Sequence, residues 1–311
     1  MGEFKRYVVG IDGGGTKTHA ILVGPDGTVV SETTGGPTNL QTVGAAQAAK
    51  LLFELIHECC VKGACDPDSL QSVVMGIAGA GRATDKAALS DAIHAISVKK
   101  KLVLKNIIVE TDARVALEAA FAGGPGVALI AGTGSIALYR TEDGKILRSG
   151  GWGKLLGDEG GGYVLSRDAL NAVMRQHDGR TEKTLLTMKA MKHFEASTID
   201  ELIPKIYVAN GELASFAPAV LEAVVERDRV AHNVLVKNAG EMVELVRVLL
   251  MQVRPKKKLP VALMGGLLEN ENVYAKMVRD KITGSLPNVV VQKPKFPAAF
   301  GAAIIGLNAF S

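Results

Sequence analysis

A β-unit that occurs twice in the 311 residues constrains the fold of this chain more than any other feature. Residues 8–35 read as strand, glycine-rich turn, strand, Asp-Gly turn and strand, and residues 127–150 repeat that order. In both copies a threonine, Thr16 or Thr133, precedes the Asp-Gly turn by ten residues, so the copies are offset by 117 residues. Two Gly/Thr loops offer backbone N–H and hydroxyl donors that can hold a polyphosphate from both sides. We therefore expect a duplicated domain and a nucleotide-using enzyme whose site lies between the halves.

Hydrophobic periodicity predicts the same β-β-β-α-β-α-β-α order in each half, which is typical of a mixed sheet covered by helices. We expect domains at 1–122 and 123–297, separated at the Gly-Gly-Pro-Gly run, with a helical insertion at about 163–253 in the second. The last helix, within 298–311, is expected to join the first domain. The predicted strands are 6–11, 18–23, 28–34, 71–78, 105–110, 127–131, 135–140, 145–149, 260–264 and 288–292. The predicted helices outside the insertion are 43–62, 84–97, 113–122, 271–284 and 298–309.

Composition excludes several classes of protein. The chain is 47% hydrophobic with a net charge of +4, and the lysine runs Lys99–Lys101 and Lys256–Lys258 lack interleaved aromatics. We therefore expect no nucleic-acid partner. No apolar run is long enough to span a membrane, and the three cysteines, all before residue 66, form neither a CxxC motif nor a disulfide framework. A cytoplasmic protein is expected, with no signal peptide.

The first Gly/Thr loop runs from Gly13 through Gly14, Gly15 and Thr16 to Lys17. It approaches a Walker A motif, but Thr16 stands where that motif requires lysine, and a strand follows instead of a helix. We interpret it as a hairpin whose glycines let backbone N–H groups approach a phosphate. Asp12, at the end of the preceding strand, is the candidate ligand for Mg²⁺, directly or through water.

The second loop contains Gly132, Thr133, Gly134 and Ser135. Its G-x-G spacing resembles a dinucleotide fingerprint, but a strand follows here too, so that interpretation is rejected. Farther along, Gly265-Gly266 ends an apolar strand, and two glycines there would let an adenosine lie against the backbone.

Asp112 follows an apolar strand at the start of a helix. One hypothesis is a general base that takes a proton from a substrate hydroxyl as the γ-phosphoryl group arrives. The other is a helix N-cap alone, because aspartate is favoured there.

A glycine-rich loop at 150–162 contains the only tryptophan of the chain, Trp152, between Gly151 and Gly153. Asp158 and Glu159 follow it, and their carboxylates can accept hydrogen bonds from sugar hydroxyls. A flexible hinge is the alternative. Asn39 supplies a polar amide ahead of the first helix, where a turn or a cap would also explain it. The six histidines are scattered and form neither a metal site nor a hydrolase triad.

Together these motifs resemble the N-acetylglucosamine kinase and BadF/BadG/BcrA/BcrD-type ATPase family, within the sugar kinase, Hsp70 and actin superfamily. The segments GIDGGGTKT, LIAGTGS and MGG look like its two phosphate motifs and its adenosine motif, and TDA, GGWG and GDEG match its kinase branch. The resemblance spans essentially the whole chain. It implies an α/β fold of two duplicated ribonuclease H-like (actin-like ATPase) domains, each with a mixed five-stranded sheet flanked by helices, and an active site in the interdomain cleft.

The resemblance also implies roles for individual residues. Asp112 would be the catalytic base of an ATP- and Mg²⁺-dependent kinase that phosphorylates an amino sugar, most simply at O6. Thr16 and Thr133 would contact ATP phosphates. The residues implied to line the sugar site are Asn39, Asp112, Ser135, Gly151, Trp152, Gly153 and Asp158. One departure concerns the sugar: animal N-acetylglucosamine kinases have asparagine immediately after GTGS, and this chain has Ile136. N-acetylglucosamine, glucosamine and N-acetylmuramic acid all remain candidate substrates.

Other classes of protein share parts of this pattern. Some relatives are ATPases that activate a redox partner through an iron–sulfur cluster, but the second half of this chain has no cysteine for such a cluster. Kinases of the repressor/open-reading-frame/kinase (ROK) type share the first loop, but their cysteine-rich zinc motif is missing here. A sensor that binds sugar without turnover remains open. Family members are often dimers, so the resemblance implies a homodimer.

Overall fold

The alternation of apolar and turn residues in the sequence produces ten β-strands and ten α-helices in the described part of the chain. The computed structural model describes residues 6–102, 104–209, 212–253, 255 and 257–309. Residues 1–5, 310 and 311, all predicted for the first domain, lie outside this part, and so does Lys256 of the second lysine run. Among the described residues, no α-helix combines the length and apolarity that crossing a bilayer requires.

The chain divides into two compact units, Met1–Pro125 with Pro294–Ser311 as unit 1 and Gly126–Lys293 as unit 2. The sheet of unit 1 has the order β3-β2-β1-β4-β5, with antiparallel pairing among β1, β2 and β3 and parallel pairing of β1 with β4 and of β4 with β5. Its elements are β1 (Tyr7–Gly13), β2 (Thr18–Val23), β3 (Val29–Gly35), α1 (Leu40–Lys62), β4 (Leu70–Ile77), α2 (Ala83–Lys99), β5 (Ile107–Glu110), α3 (Asp112–Phe121) and α10 (Ala298–Asn308).

Both faces of this sheet are buried, because successive apolar side chains of β1 point to opposite faces. Val9 and Ile11 pack in one core cluster with side chains from α1 and α2. Val8 packs on the other face against α10, which also lies against α3. Gly301 makes that close helix packing possible, because a Cβ at this position would lie 1.9 Å from the backbone oxygen of Val115 in α3.

Unit 2 repeats this arrangement. Its sheet has the order β10-β9-β6-β7-β8, the same succession of first, second and third strands on one side and two parallel strands on the other. Among the residues described there, five α-helices lie between its third and fourth strands, where the sequence predicts the helical insertion. Its elements are β6 (Gly126–Ala131), β7 (Ser135–Arg140), β8 (Ile146–Gly150), α4 (Gly162–His177), α5 (Leu185–His193), α6 (Ile199–Val208), α7 (Ala217–Val225), α8 (Arg229–Val253), β9 (Leu259–Met264), α9 (Val273–Ser285) and β10 (Val289–Gln292). The prediction of two mixed five-stranded sheets flanked by helices, in a duplicated ribonuclease H-like fold, is confirmed.

Candidate functional site

The first Gly/Thr loop is a tight hairpin between β1 and β2, as predicted. It is closed by a hydrogen bond from the Gly14 N–H to the Lys17 carbonyl at 3.0 Å. Gly13 has no room for a side chain, since a Cβ there would lie 2.2 Å from the Thr38 hydroxyl oxygen. Within the described residues, the N–H groups of Gly15 and Thr16 donate to no protein acceptor. Exposed backbone donors grouped in this way suit an anion such as phosphate.

Asn39 borders this hairpin from the start of α1. Its side-chain oxygen caps the helix by accepting from the Gln41 N–H at 2.9 Å, so the cap interpretation of this residue is confirmed. Its amide nitrogen lies 3.8 Å from the position that a Cβ on Gly15 would occupy. Because the oxygen alone serves the helix, the nitrogen of Asn39 remains a donor beside the loop.

Asp112 is not the N-cap of α3, contrary to one of the two predictions for it. The cap is Thr111, which has an extended backbone and accepts from the Arg114 N–H at 3.1 Å. The helix begins at Asp112, whose carboxylate accepts only from the neighbouring Ala113 N–H, at 2.9 Å, among the hydrogen bonds described. Since Thr111 already satisfies the helix end, the carboxylate of Asp112 is not required there.

Asp112 is an exposed residue, yet the protein around its carboxyl group displaces part of the solvent there. Desolvation by the surrounding protein raises the pKa of its carboxyl group, against the opposing effect of the Ala113 N–H. A base with a raised pKa accepts a proton more readily, as general-base chemistry requires.

Asp112 and the first hairpin lie at the same edge of the sheet of unit 1. The parallel strands β1, β4 and β5 end at Gly13, Ile77 and Glu110. The strand register places these three ends within one residue of the same level. Two spacings between neighbouring strands separate β1 from β5, about 10 Å. Asp12, half-buried at the end of β1, belongs to the same edge. The structure therefore brings the predicted phosphate loop, the predicted base and the predicted Mg²⁺ ligand to one edge.

In unit 2 the second loop supports the start of α4. The N–H groups of Gly162 and Tyr163 donate to the carbonyls of Gly132 and Thr133 at 2.8 and 2.9 Å. The N–H groups of Thr133 and Gly134 donate to no protein acceptor within the described part of the chain. This loop thus resembles the first in presenting exposed backbone donors, while its carbonyls are used by the helix.

Asp158 connects the second loop to the glycine-rich loop. Its carboxylate lies over Gly134, where a Cβ would approach it to about 2.4 Å, and it accepts from the Gly153 N–H at 3.2 Å. Desolvation raises the pKa of this carboxyl group, and backbone hydrogen bonds from Gly153 and Ser135 oppose the shift. The hydroxyl of Ser135 is buried and donates to the Glu159 carbonyl at 2.7 Å.

The glycine-rich loop is anchored at its far end, which disfavours the hinge interpretation. The Gly160 N–H donates to the side chain of Asn238 at 3.2 Å, and the Gly160 carbonyl accepts from the Tyr274 hydroxyl at 2.9 Å. Near the start of the loop, Trp152 is 65% exposed. An exposed tryptophan on an anchored loop is a suitable surface for the apolar face of a sugar ring.

Gly265 and Gly266 follow β9 beside the second loop, and their environments differ. Gly265 has a φ of +84°, and a Cβ there would lie 2.4 Å from the Ala131 carbonyl oxygen at the end of β6. No atom lies within 4 Å of the corresponding position on Gly266. Gly265 therefore holds the turn against β6, and Gly266 leaves an open backbone surface on which a flat group can rest.

The sequence interpretation missed several supporting residues. Thr38 is buried and shares a hydrogen bond of 2.9 Å with the Thr18 hydroxyl, which holds the segment before α1 against β2. Asn238 and Tyr274 lie far along the chain from the loop they anchor, and no local pattern marks them. Thr111 was identifiable in principle, because threonine is itself a favoured cap residue.

Comparison with known proteins assigns the chain to a protein family. Residues 9–306 match the model of the BadF/BadG/BcrA/BcrD ATPase family. A Clostridium acetobutylicum protein named N-acetylmuramic acid/N-acetylglucosamine kinase is 34% identical over 96% of this chain and 98% of its own length. The N-acetyl-D-glucosamine kinase of Dictyostelium discoideum is 28% identical over 98% of each chain. A solved structure from Chromobacterium violaceum has the same fold, with a TM-score of 0.74, 24% identity and coverage of 98% of this chain and 100% of that one.

Proposed function

Because the chain belongs to the BadF/BadG/BcrA/BcrD ATPase family, we propose that it is an ATP-dependent kinase acting on a hydroxyl of an amino sugar. The observation that carries the proposal is the position of Asp112. Its carboxylate is not needed as a helix cap, its pKa is raised, and it lies at the sheet edge that carries the first phosphate loop. The names of two relatives that align over nearly the whole chain support an amino sugar as the acceptor.

In the proposed reaction Asp112 accepts the proton of the acceptor hydroxyl, O6 in the simplest case. The hydroxyl oxygen forms a bond to the γ-phosphorus while the bond to the β-phosphate oxygen breaks, releasing ADP. The loops around Thr16 and Thr133 bind the phosphates through backbone N–H groups, with Gly13, Gly14, Gly15, Lys17, Gly132 and Gly134 completing them. Gly265 and Gly266 lie against the adenosine. Positioning and charge stabilisation provide most of the rate in phosphoryl transfer.

The sugar is proposed to contact Asn39, Ser135, Gly151, Trp152, Gly153 and Asp158. The amide nitrogen of Asn39 and the carboxylate of Asp158 bind hydroxyl groups, and the exposed face of Trp152 packs on the ring. The buried hydroxyl of Ser135 supports this surface by holding the segment that follows Asp158.

Asp12 suits Mg²⁺ only when nucleotide supplies the other ligands. Within the described residues there is no group of three or more His, Cys, Asp or Glu side chains that could hold a metal. One carboxylate beside a phosphate loop fits Mg²⁺, which typically binds one or two carboxylates together with phosphates and water. When bound, the ion offsets charge on the β- and γ-phosphate oxygens.

We further propose a cytoplasmic homodimer. The three cysteines are free and buried, which suits a reducing compartment. Tyr207 and Val208 on α6 of the helical insertion are 78% and 89% exposed, and such apolar side chains suit a subunit interface. Light scattering coupled to size exclusion should give twice the mass of 32.6 kDa, and a monomer would contradict this proposal.

The test of the kinase proposal is ADP release with ATP and Mg²⁺ in the presence of single sugars. The panel contains N-acetylglucosamine, glucosamine, N-acetylmuramic acid, N-acetylmannosamine, glucose and no sugar, and ³¹P NMR of the product locates the phosphate. Strong stimulation by one amino sugar supports the proposal. Hydrolysis that no sugar stimulates, or no hydrolysis, contradicts it and favours an ATPase that acts on a protein partner or a sugar sensor.

A further inference from the structure

An arginine lies on the exposed tryptophan of the glycine-rich loop. The guanidinium carbon of Arg148, an exposed residue of β8, is 3.8 Å from the centre of the Trp152 ring. No salt bridge or hydrogen bond in the described part of the chain involves the Arg148 side chain. The charge is therefore positioned by an aromatic ring and is not neutralised by a carboxylate.

The strand register places Arg148 on a defined face of the sheet of unit 2. Arg148 lies opposite Leu138, and the neighbouring pair Tyr139 and Leu147 packs with the helical core on the other face. Ile136 points to the same face as Leu138 and meets the backbone at Gly151, where a Cβ would lie 2.7 Å from the isoleucine side chain. An apolar side chain and a stacked cation thus both border the segment that carries Trp152.

Stacking uses the flat face of a guanidinium and leaves its N–H donors at the edge. Those donors have the spacing of the two oxygens of a carboxylate, which they bind in a bidentate manner. The ring limits the conformations of the arginine side chain, so less conformational entropy is lost when an anion binds. Within the described residues, no carboxylate of the protein pairs with these Arg148 donors.

We propose that Arg148 and Trp152 form a subsite for a carboxylate carried by the sugar, so that the preferred acceptor is an amino sugar bearing an acidic ether substituent. Ile136 provides an apolar contact for the carbon atoms of that substituent. This inference rests on the proposed kinase function and on the placement of the sugar ring against Trp152. It adds a specificity-determining residue, Arg148, to that function and selects the acidic sugar among the candidate acceptors.

The test compares N-acetylmuramic acid with N-acetylglucosamine, which has the same ring without the acidic ether. We measure kcat and KM for both sugars in the wild type, in Arg148→Met and in Arg148→Lys. Arg148→Met should lower the ratio of kcat/KM for N-acetylmuramic acid to that for N-acetylglucosamine by about 10- to 100-fold, the range for a charged hydrogen bond. Most of the change should appear in KM, and Arg148→Lys should restore part of it. Lys145→Met, which removes a lysine that pairs with Asp143 on the same hairpin, should leave the ratio unchanged.

Two results would overturn the inference while leaving the kinase proposal intact. One is a wild type that phosphorylates N-acetylglucosamine but does not prefer the acidic sugar, and the other is an Arg148→Met variant in which both sugars lose activity equally. If the wild type phosphorylates neither sugar, the kinase proposal fails. The proposed subsite is then tested separately by measuring the binding of the two sugars. Trp152 is the only tryptophan, so its fluorescence reports on the subsite directly. Tighter binding of N-acetylmuramic acid in the wild type, lost in Arg148→Met, would support the subsite, and equal affinities for both sugars would refute it.

Discussion

Replacement of Asp112 by asparagine should abolish most turnover without harming the fold. The carboxylate accepts one described hydrogen bond, from the Ala113 N–H at 2.9 Å, and an asparagine oxygen of the same size can accept it too. The cap of α3 is the neighbouring Thr111, which the substitution does not touch. Desolvation by the surrounding protein disfavours the charged form of Asp112, so a neutral amide at this exposed position should not destabilise the fold.

The expected loss follows from the role of the side chain. A positioned general base contributes about 10²- to 10⁴-fold to the rate, equivalent to about 2.7–5.4 kcal/mol of transition-state stabilisation. Asparagine cannot accept the proton, so kcat should fall by this factor. The dissociation constant for ATP should change by less than about threefold, because the phosphates are held by other loops.

A matched variant one residue away separates chemistry from folding. Thr111→Ala removes the cap and should reduce the free energy of unfolding by about 0.5–2 kcal/mol, while the Asp112 carboxylate remains. We would measure ADP release at saturating sugar together with urea denaturation for both variants. Asp112→Asn should be stable and inactive, and Thr111→Ala less stable but active. Near-normal turnover in Asp112→Asn would remove this residue from the mechanism.

The raised pKa of Asp112 also fixes the sign of two pH dependences. The base works only when ionised, so kcat/KM should fall with decreasing pH through a pKa above the ordinary aspartate value of about 3.9. Because the folded state binds this proton more tightly than the unfolded state, the contribution of Asp112 to stability decreases as pH rises between the two pKa values. Asp112→Asn should lack this decrease, and the difference in unfolding free energy between pH 4 and pH 7 measures it.

Three further predictions concern stability, nucleotide binding and thiol reactivity. Gly265→Ala should destabilise unit 2 because this residue has a positive φ and contacts the end of β6. Gly266→Ala should leave the stability unchanged and raise the KM for ATP. Equal losses of stability in urea denaturation would contradict this prediction. Gly301→Ala should cost at least about 1–3 kcal/mol in the same assay because a Cβ would meet the backbone of α3, and an unchanged midpoint would show that the helices can separate. Burial raises the pKa of Cys59 to about 11 and of Cys60 to about 12, so neither thiol should react with iodoacetamide at pH 8 until the protein unfolds; rapid labelling, detected by mass spectrometry, would refute this.

Local signals explain why so much of the fold could be predicted. Within each three-strand unit, the strands end at glycine-rich or Asp-Gly turns. Such turns can be predicted from the types of about four consecutive residues. The predicted strand 18–23 agrees with β2 at both ends, and the predicted strand 135–140 agrees with β7. The first helix begins three residues before the predicted start, at Leu40, because Asn39 caps it ahead of a non-helical Gly44.

What the sequence did not predict depends on contacts between distant segments. Thr111 and Asp112 are both favourable caps, and only the extended backbone of Thr111, with a ψ of 151°, decides between them. The position of Asp158 over Gly134 joins residues 24 positions apart, and both residue types suit other environments equally well. The position of Arg148 on Trp152 depends on the path of the chain through two glycines with positive φ, Gly150 and Gly151, which no periodicity encodes.

The return of the chain to unit 1 in α10 has a consequence for synthesis on the ribosome. Strand β1 emerges first, yet one of its faces is covered by a helix that begins at Ala298, almost three hundred residues later. All of unit 2 is translated in between, so unit 2 can complete its core while the sheet of unit 1 still exposes apolar side chains. Unit 1 must therefore finish folding after translation has passed Asn308.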